Sequence, residues 1–455
     1  MANTTLQDIF NAGFDAVQSS RALHPREATA ARCIMQCFTP ALGAHLQLCP
    51  NGDFEHIQFH ACRHRACPRC AERSRAAWVD SELQRLLPCP HFHVVFTLPH
   101  CLLALWERNR AWFIHTLFDC ARASLLQMLA DPRHLGATPG LSMSLHTWGR
   151  NLSHHPHVHC LLSAGGLSPD GQWLHSKPGW LLPVRPLQLL WRGKLLHALW
   201  QALARQQLQL PAWTTASHWR SQIRALYRSH FNVEIRPPYE HGRGVALYLA
   251  RYAKGGPLPA DRTLRLHGNQ VLFDYTDHRT RTSRTLCLPI EQFIERILWH
   301  APPKGVHTTR HAGLYSSARR EHHALAQACL LAQAQPLTAS PPWPRSSSHS
   351  PPSPASPPSA SSTSPKRCPH CGGPLLRLLL LRPAPTRRLN ACSAGQISLP
   401  PPAISTGPPP ARSNSPPPTA VQRGPTMSSS GRPTAGPSRQ TDLSSASRGR
   451  LSAAA

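Results

Sequence analysis

Leu141-Ser142-Met143-Ser144-Leu145-His146-Thr147-Trp148 alternates between apolar and polar, Gly149 to Ser153 supplies turn residues, and His155-Pro156-His157-Val158-His159-Cys160-Leu161-Leu162 returns. A period of two marks a strand with one face buried. Two such runs around a short turn predict an antiparallel hairpin. His157 and His159 then share a face, where two imidazoles could hold one cation. His146 on the partner strand is a candidate third ligand.

Outward from the hairpin, Phe92-His93-Val94-Val95-Phe96-Thr97-Leu98-Pro99 is a β-branched and aromatic run ended by proline, the pattern of a buried strand. A helix is expected from Leu102 to Leu129. Pro186 opens another, with Leu189, Leu190, Leu196, Leu199, Trp200 and Leu203 on its apolar side. Phe231, Val233 and Ile235 alternate before Pro237-Pro238, Val271 to Tyr275 reads as a strand, and Ile290 to Leu298 as a helix. Irregularly alternating elements around a central antiparallel hairpin favour an α+β sheet with flanking helices over a doubly wound fold.

A second signal is Gly244-Val245-Ala246-Leu247-Tyr248-Leu249-Ala250-Arg251-Tyr252-Ala253-Lys254. Ala, Leu and Arg favour helix, so Tyr248 and Tyr252, four apart, would emerge one turn apart on one face. A phenol has an ordinary pKa of about 10. Arg251 and Lys254, or a nearby cation, would favour the phenolate.

Lys and Arg number 49 against 21 Asp and Glu, a formal net charge of +28. This implies a polyanionic partner, nucleic acid first. An apolar run near the ~20 residues needed to span a bilayer is absent, and Leu375 to Leu381 is short and broken by Arg377. The start, Met1-Ala2-Asn3-Thr4-Thr5-Leu6, lacks the pattern of a secretory signal. A cytoplasmic, nucleoid-associated bacterial protein is expected, whose reduced cysteines serve metals rather than disulfides.

Residues 1–32 read as a helical N-terminal arm, with Leu6, Ile9, Phe10, Phe14 and Val17 at helical spacing. Residues 33–82 form a cysteine-rich segment with too little apolar mass for its own core, a deficit that structural Zn²⁺ would fill. Cys62, Cys67 and Cys70 supply three thiolates, and Cys49 is the expected fourth, for which His56, His45 or His64 could substitute. Gly52 stands where the second cysteine of an upstream Cys-x2-Cys would fall. Arg63, Arg65 and Arg69 beside the thiols suit DNA phosphate. Residues 83–318 would be the catalytic domain. Residues 319–455, rich in Pro, Ser and Ala, read as a largely disordered tail holding a half-knuckle, Cys368-Pro369-His370-Cys371.

Taken in order, the Arg-x-Cys-Pro-x-Cys cluster, His93-Val94-Val95-Phe96-Thr97-Leu98-Pro99, Leu145-His146-Thr147-Trp148-Gly149, the His-Pro-His-x-His-Cys-Leu strand and Tyr248-Leu249-Ala250-Arg251-Tyr252 resemble the two-tyrosine HUH transposases of rolling-circle insertion sequences, the family of insertion sequence ninety-one. Phe273-Asp274-Tyr275-Thr276-Asp277-His278-Arg279, Phe293-Ile294-Glu295-Arg296 and Arg310-His311-Ala312-Gly313-Leu314-Tyr315 agree, so the resemblance covers about residues 33 to 318.

It implies that His157 and His159 bind Mg²⁺ or Mn²⁺, and that Tyr248 and Tyr252 are nucleophiles that nick and rejoin single-stranded DNA through a 5′-phosphotyrosine. Rejoining by transesterification needs no ATP, and no Gly-x-x-x-x-Gly-Lys-Ser/Thr segment occurs. Trp148, Trp219 and Tyr239 are candidates for base stacking. A plasmid replication initiator or relaxase would share the chemistry, and a decayed zinc DNA-binding protein would keep the fold without it.

Overall fold

A computed structural model of the chain describes residues 4–240, 244, 250, 255–258, 262–277, 280, 282–333 and 367–381. Helix α1 (Leu6–Ser20) starts at a capping box, in which Thr5 accepts from the Asp8 amide and the Asp8 carboxylate accepts from the Thr5 amide at 2.9 Å. Leu6, Ile9, Phe10, Phe14 and Val17 form its buried stripe. Proline opens α2 (Pro25–Gln36), which runs through the boundary expected at residue 32.

These helices are not an arm. Their apolar stripe needs cover, and Phe273, Ile290, Phe293, Ile294 and Ile297 supply it in a core of its own. A Cβ on Gly13 would lie 2.8 Å from Ile290 Cγ1, so glycine sets the approach of α1.

A hairpin of β1 (Ala44–Leu48) and β2 (Glu55–Phe59) leads to α3 (Pro68–Arg85) and to β3 (His91–Thr97), which is buried throughout. The helix expected from Leu102 to Leu129 is broken into α4 (Leu103–Arg108) and α5 (Arg110–Leu129). Asn109 makes the break: with φ −127° and ψ 35° it leaves the helix, and its side-chain amide pairs with both backbone groups of Gln209.

The central hairpin is longer than the sequence suggests, comprising β4 (Thr138–Trp148) and β5 (His154–Leu167). After β6 (Trp173–His175) come α6 (Val184–Ala204) and α7 (Ala216–Leu226). Leu187, Trp191, Leu195, Leu196, Leu199 and Leu203 are the buried face of α6, whereas Leu189 is exposed. Strand β7 (Val233–Tyr239) continues through Pro237 and Pro238 because it is an edge strand with an irregularity in its register with β3 at that point. One missing amide faces the open side, and the other falls where the ladder is already interrupted between the His93–Arg236 and His91–Tyr239 pairs.

Strands β8 (Leu264–His267), β9 (Gln270–Thr276) and β10 (Ser283–Pro289) form a three-stranded antiparallel sheet backed by α8 (Ile290–Leu298). Strand β11 (Thr309–Gly313) and α9 (Arg320–Gln333) follow. Ala326 and Leu330 of α9 pack with Trp173, Leu314 and Tyr315, so the folded part passes residue 319. Beyond it, β12 (Leu376–Leu381) pairs with β1. The rest of the expected tail, 334–366 and 382–455, lies outside the described residues.

The main sheet has the order β11-β4-β5-β3-β7, all antiparallel, with β6 beside the far end of β5. The β4–β5 hairpin is central, and the fold is α+β as expected. Period two divides this sheet sharply. Phe92, Val94, Phe96, Leu141, Met143, Leu145, Val158, Cys160 and Leu162 meet α5 and α6 in the largest core. The opposite face carries His93, Ser142, Ser144, His146, His157 and His159.

Candidate active site and metal centres

Cross-strand register builds the histidine cluster. His146 lies opposite His157 and Ser144 opposite His159 in the β4–β5 ladder, while His159 faces Val95 of β3. One ring nitrogen from each of His146, His157 and His159 falls within 4.8 Å of the others. The ring centroids are 4.0 Å apart for His146 and His159, 4.7 Å for His157 and His159 and 5.0 Å for His146 and His157.

Burial holds all three rings neutral: desolvation takes His157 down to about 3, and His146 and His159 well below the ordinary range. A neutral imidazole offers a lone pair. His157 donates Nδ1–H to the carbonyl of His155 at 2.6 Å, which leaves Nε2 as its acceptor. His159 Nδ1 is 2.7 Å from His93 Nε2, so with the proton on His159 it too presents Nε2 as a ligand. The donor set fits a divalent cation that accepts nitrogen alongside water and phosphate oxygen.

The contact of His93 with the cluster was not read from the sequence, although His91-Phe92-His93 repeats the spacing of His157 and His159. The Trp148 ring stacks on His146 with centroids 5.3 Å apart.

Tyr248, Tyr252, Arg251 and Lys254 lie outside the described residues. Ala250, between the two tyrosines in sequence, is helical and buried, packed in one cluster with Trp78 and Val79 of α3 and with Leu161. Leu161 is two residues from His159 and therefore on the same face of β5.

A second centre is built from cysteines. The Sγ atoms of Cys37, Cys62, Cys67 and Cys70 lie within 4.8 Å of one another, with Cys37–Cys70 at 3.5 Å and Cys62–Cys70 at 3.6 Å. Four thiolates about zinc at ~2.3 Å stand roughly 3.8 Å apart, so the set matches a tetrahedral four-cysteine site. Cys37 ends α2, and Cys67 and Cys70 begin α3.

The expected fourth ligand was Cys49, and the structure corrects this. Cys49 leaves β1 at the far end of the hairpin, where its sulfur meets Asp53, Cys368 and Cys371. The sequence reading passed over Cys37 because it belongs to a helix rather than to a knuckle.

Of the three arginines expected to meet phosphate, Arg63 and Arg69 are exposed, and Arg69 covers the Phe38 ring at 4.4 Å. Arg65 is turned inward, donating to Thr308 and to the carbonyl of Gly255. Trp219 is buried in the main core and is not available for base stacking, whereas Trp148 and Tyr239 are partly exposed. No helix among the described residues is long and apolar enough to cross a membrane.

Residues 140–322, which hold the hairpin and the histidine cluster, match a family model described as "Putative transposase". Residues 9–98, from α1 to β3, match one described as "Transposase zinc-binding domain". The chain is 37% identical over 314 residues to "Putative transposase y4qJ" of Sinorhizobium fredii, covering 67% of this chain and 79% of the relative. It is 30% identical over 299 residues to "Transposase for insertion sequence element IS801" of Pseudomonas savastanoi pv. phaseolicola, covering 62% and 69%. No solved structure matches. With both halves of the motif order matched, the chain belongs to the IS91 family of transposases, DNA-cleaving enzymes with an N-terminal zinc-binding domain.

Proposed function

We propose that this transposase nicks and rejoins single-stranded DNA at the ends of its element through a 5′-phosphotyrosine, in a rolling-circle mode of movement. The observation that carries the reading is the convergence of His146, His157 and His159 on the sheet face where Ala250, flanked by Tyr248 and Tyr252, packs two residues from His159.

His146, His157 and His159 would hold Mg²⁺ or Mn²⁺, which when bound supplies positive charge to a non-bridging phosphate oxygen. The protein's own part is positioning. His93 and the His155 carbonyl fix two of the rings. A tyrosine phenolate attacks phosphorus, the bond from phosphorus to the 3′ oxygen breaks, and the proton lost by the phenol is balanced by the one gained at the 3′ hydroxyl. The stored ester returns to a 3′ hydroxyl without another energy source, and a second tyrosine allows a second transfer before the first is resolved. Exposed Arg63 and Arg69, with Arg251 and Lys254, would track the DNA backbone.

The test is incubation of the purified protein with labelled single-stranded DNA from its element's ends and Mn²⁺ or Mg²⁺, resolved by denaturing electrophoresis. A labelled covalent adduct that is lost with EDTA and in Tyr248→Phe/Tyr252→Phe is expected. Undiminished nicking by the double variant would sink the mechanism.

A further inference from the structure

Directly after β1 the chain turns tightly: the Cys49 amide donates to the Phe54 carbonyl at 2.8 Å and the Gly52 amide to the Cys49 carbonyl at 2.9 Å. The half-knuckle more than three hundred residues later closely parallels this arrangement. The Cys368 amide donates to the Gly373 carbonyl at 2.8 Å, and the Gly372 amide to the Cys368 carbonyl at 2.9 Å. Gly52 and Gly372 both sit at positive φ, 78° and 69°, which these turns require.

The two turns face each other. Cys49 Sγ is 3.4 Å from Cys371 Sγ and 3.7 Å from Asp53 Oδ2, and the ligand atoms of Cys49, Asp53, Cys368 and Cys371 all lie within 4.8 Å of one another.

We propose that Cys49, Asp53, Cys368 and Cys371 bind a second zinc ion, which fastens residues 367–381 to the N-terminal hairpin. Three thiolates and one carboxylate are a tetrahedral donor set for zinc, and the ligand atoms converge as closely as those of the four-cysteine cluster. The set also accounts for Gly52. The thiol missing from the upstream pair is replaced by a carboxylate one residue on, and Cys368 and Cys371 complete the four.

The energetics of β12 point the same way. It extends the β1–β2 sheet with Leu376 opposite Leu48 and Leu378 opposite Leu46. Yet Leu376, Leu378, Leu379, Leu380 and Leu381 are 40 to 56% exposed, so burial contributes little to its attachment. A strand held by its ladder alone is marginal. Coordination at its N-terminal end supplies the missing stabilisation, since ligand binding that requires the docked arrangement adds its free energy to docking. Nothing in this site touches the histidine cluster, and it stands or falls independently of the nicking reaction.

The experiment is zinc quantification by inductively coupled plasma mass spectrometry on the purified full-length chain, paired with limited proteolysis. Unsubstituted protein is expected to carry two zinc equivalents, and Cys368→Ser/Cys371→Ser one fewer, with faster proteolytic release of the 367–381 segment. Cys37→Ser/Cys62→Ser removes the other equivalent, so loss of either site is read separately. Asp53→Cys, which completes a four-thiolate set, should retain both. A single zinc in the unsubstituted protein overturns the proposal, and so does unchanged zinc content in Cys368→Ser/Cys371→Ser. A Cys49–Cys371 disulfide found by mass spectrometry of protein prepared under reducing conditions also overturns it.

Discussion

His93 shows how a single side chain acts through another. Its Nε2 lies 2.7 Å from His159 Nδ1, and by accepting a hydrogen bond there it would leave His159 Nε2 for a cation. Removing such a partner typically weakens metal affinity about 10- to 100-fold. His93→Ala is therefore expected to raise the Mn²⁺ concentration needed for half-maximal nicking by about that factor while nicking at saturating Mn²⁺ persists, whereas His157→Ala should abolish nicking. A titration of nicking against Mn²⁺ separates the two. Equal loss at saturation would assign His93 to the reaction itself.

The histidine cluster was legible in the sequence because strand alternation is local: His157 and His159 need only the period of β5 to share a face. His146 followed from hairpin register. His93 and Cys37 were harder, since a strand separated from β5 by α4, α5 and β4 and the end of a helix reach their clusters only through tertiary packing.

At the scale of elements, close backbone approach decides which substitutions the sheet tolerates. A Cβ on Gly140 of β4 would clash with the ring of Tyr315, which is buried and whose hydroxyl donates to His91 Nε2 at 2.6 Å, the His91 Nδ1–H being given to the Cys89 carbonyl. Gly140→Ala must displace that ring, and overpacking of this kind costs about 1–3 kcal/mol. Urea denaturation should show the unfolding free energy falling by that amount, read as a lower midpoint at constant slope, with Gly140→Ala/Tyr315→Leu recovering part of the loss. The strands and helices themselves were readable from periodicity. What periodicity could not give was the break at Asn109, set by its hydrogen bonds to a residue a hundred positions away, or the passage of β7 through two prolines, which depends on its being an edge with a register shift against β3.

Across the whole molecule, buried imidazoles tie stability to pH. Desolvation lowers His91 to about 4 and His300 to about 3, against an ordinary value near 6.5. Unfolded chains take up these protons from about pH 6.5 downward while the folded protein does not, so stability is full above that value and declines toward the folded values. Each such group contributes up to about 1.4 kcal/mol per pH unit within the window. Chelator-treated protein should lose stability between pH 6.5 and 4.5 in urea titrations, and His300→Gln should flatten the slope; an unchanged slope would assign the acid sensitivity elsewhere. Domain layout was the least legible level. Composition marks the cysteine-rich segment well, yet neither the packing of α1 on α8 nor the pairing of β12 with β1 leaves any local trace.

That packing of α1 on α8 bears on how the protein is made. Leu6, Phe10 and Phe14 leave the ribosome well before Phe273, Ile290 and Phe293, the side chains that cover them, which are polymerised nearly three hundred residues later. At roughly 5–20 residues per second the nascent N-terminus waits about 15–60 s with its apolar stripe exposed. A chaperone that shields short apolar helices during translation would therefore raise the yield of native transposase, and a permuted gene placing residues 262–301 ahead of residue 4 would shorten the delay.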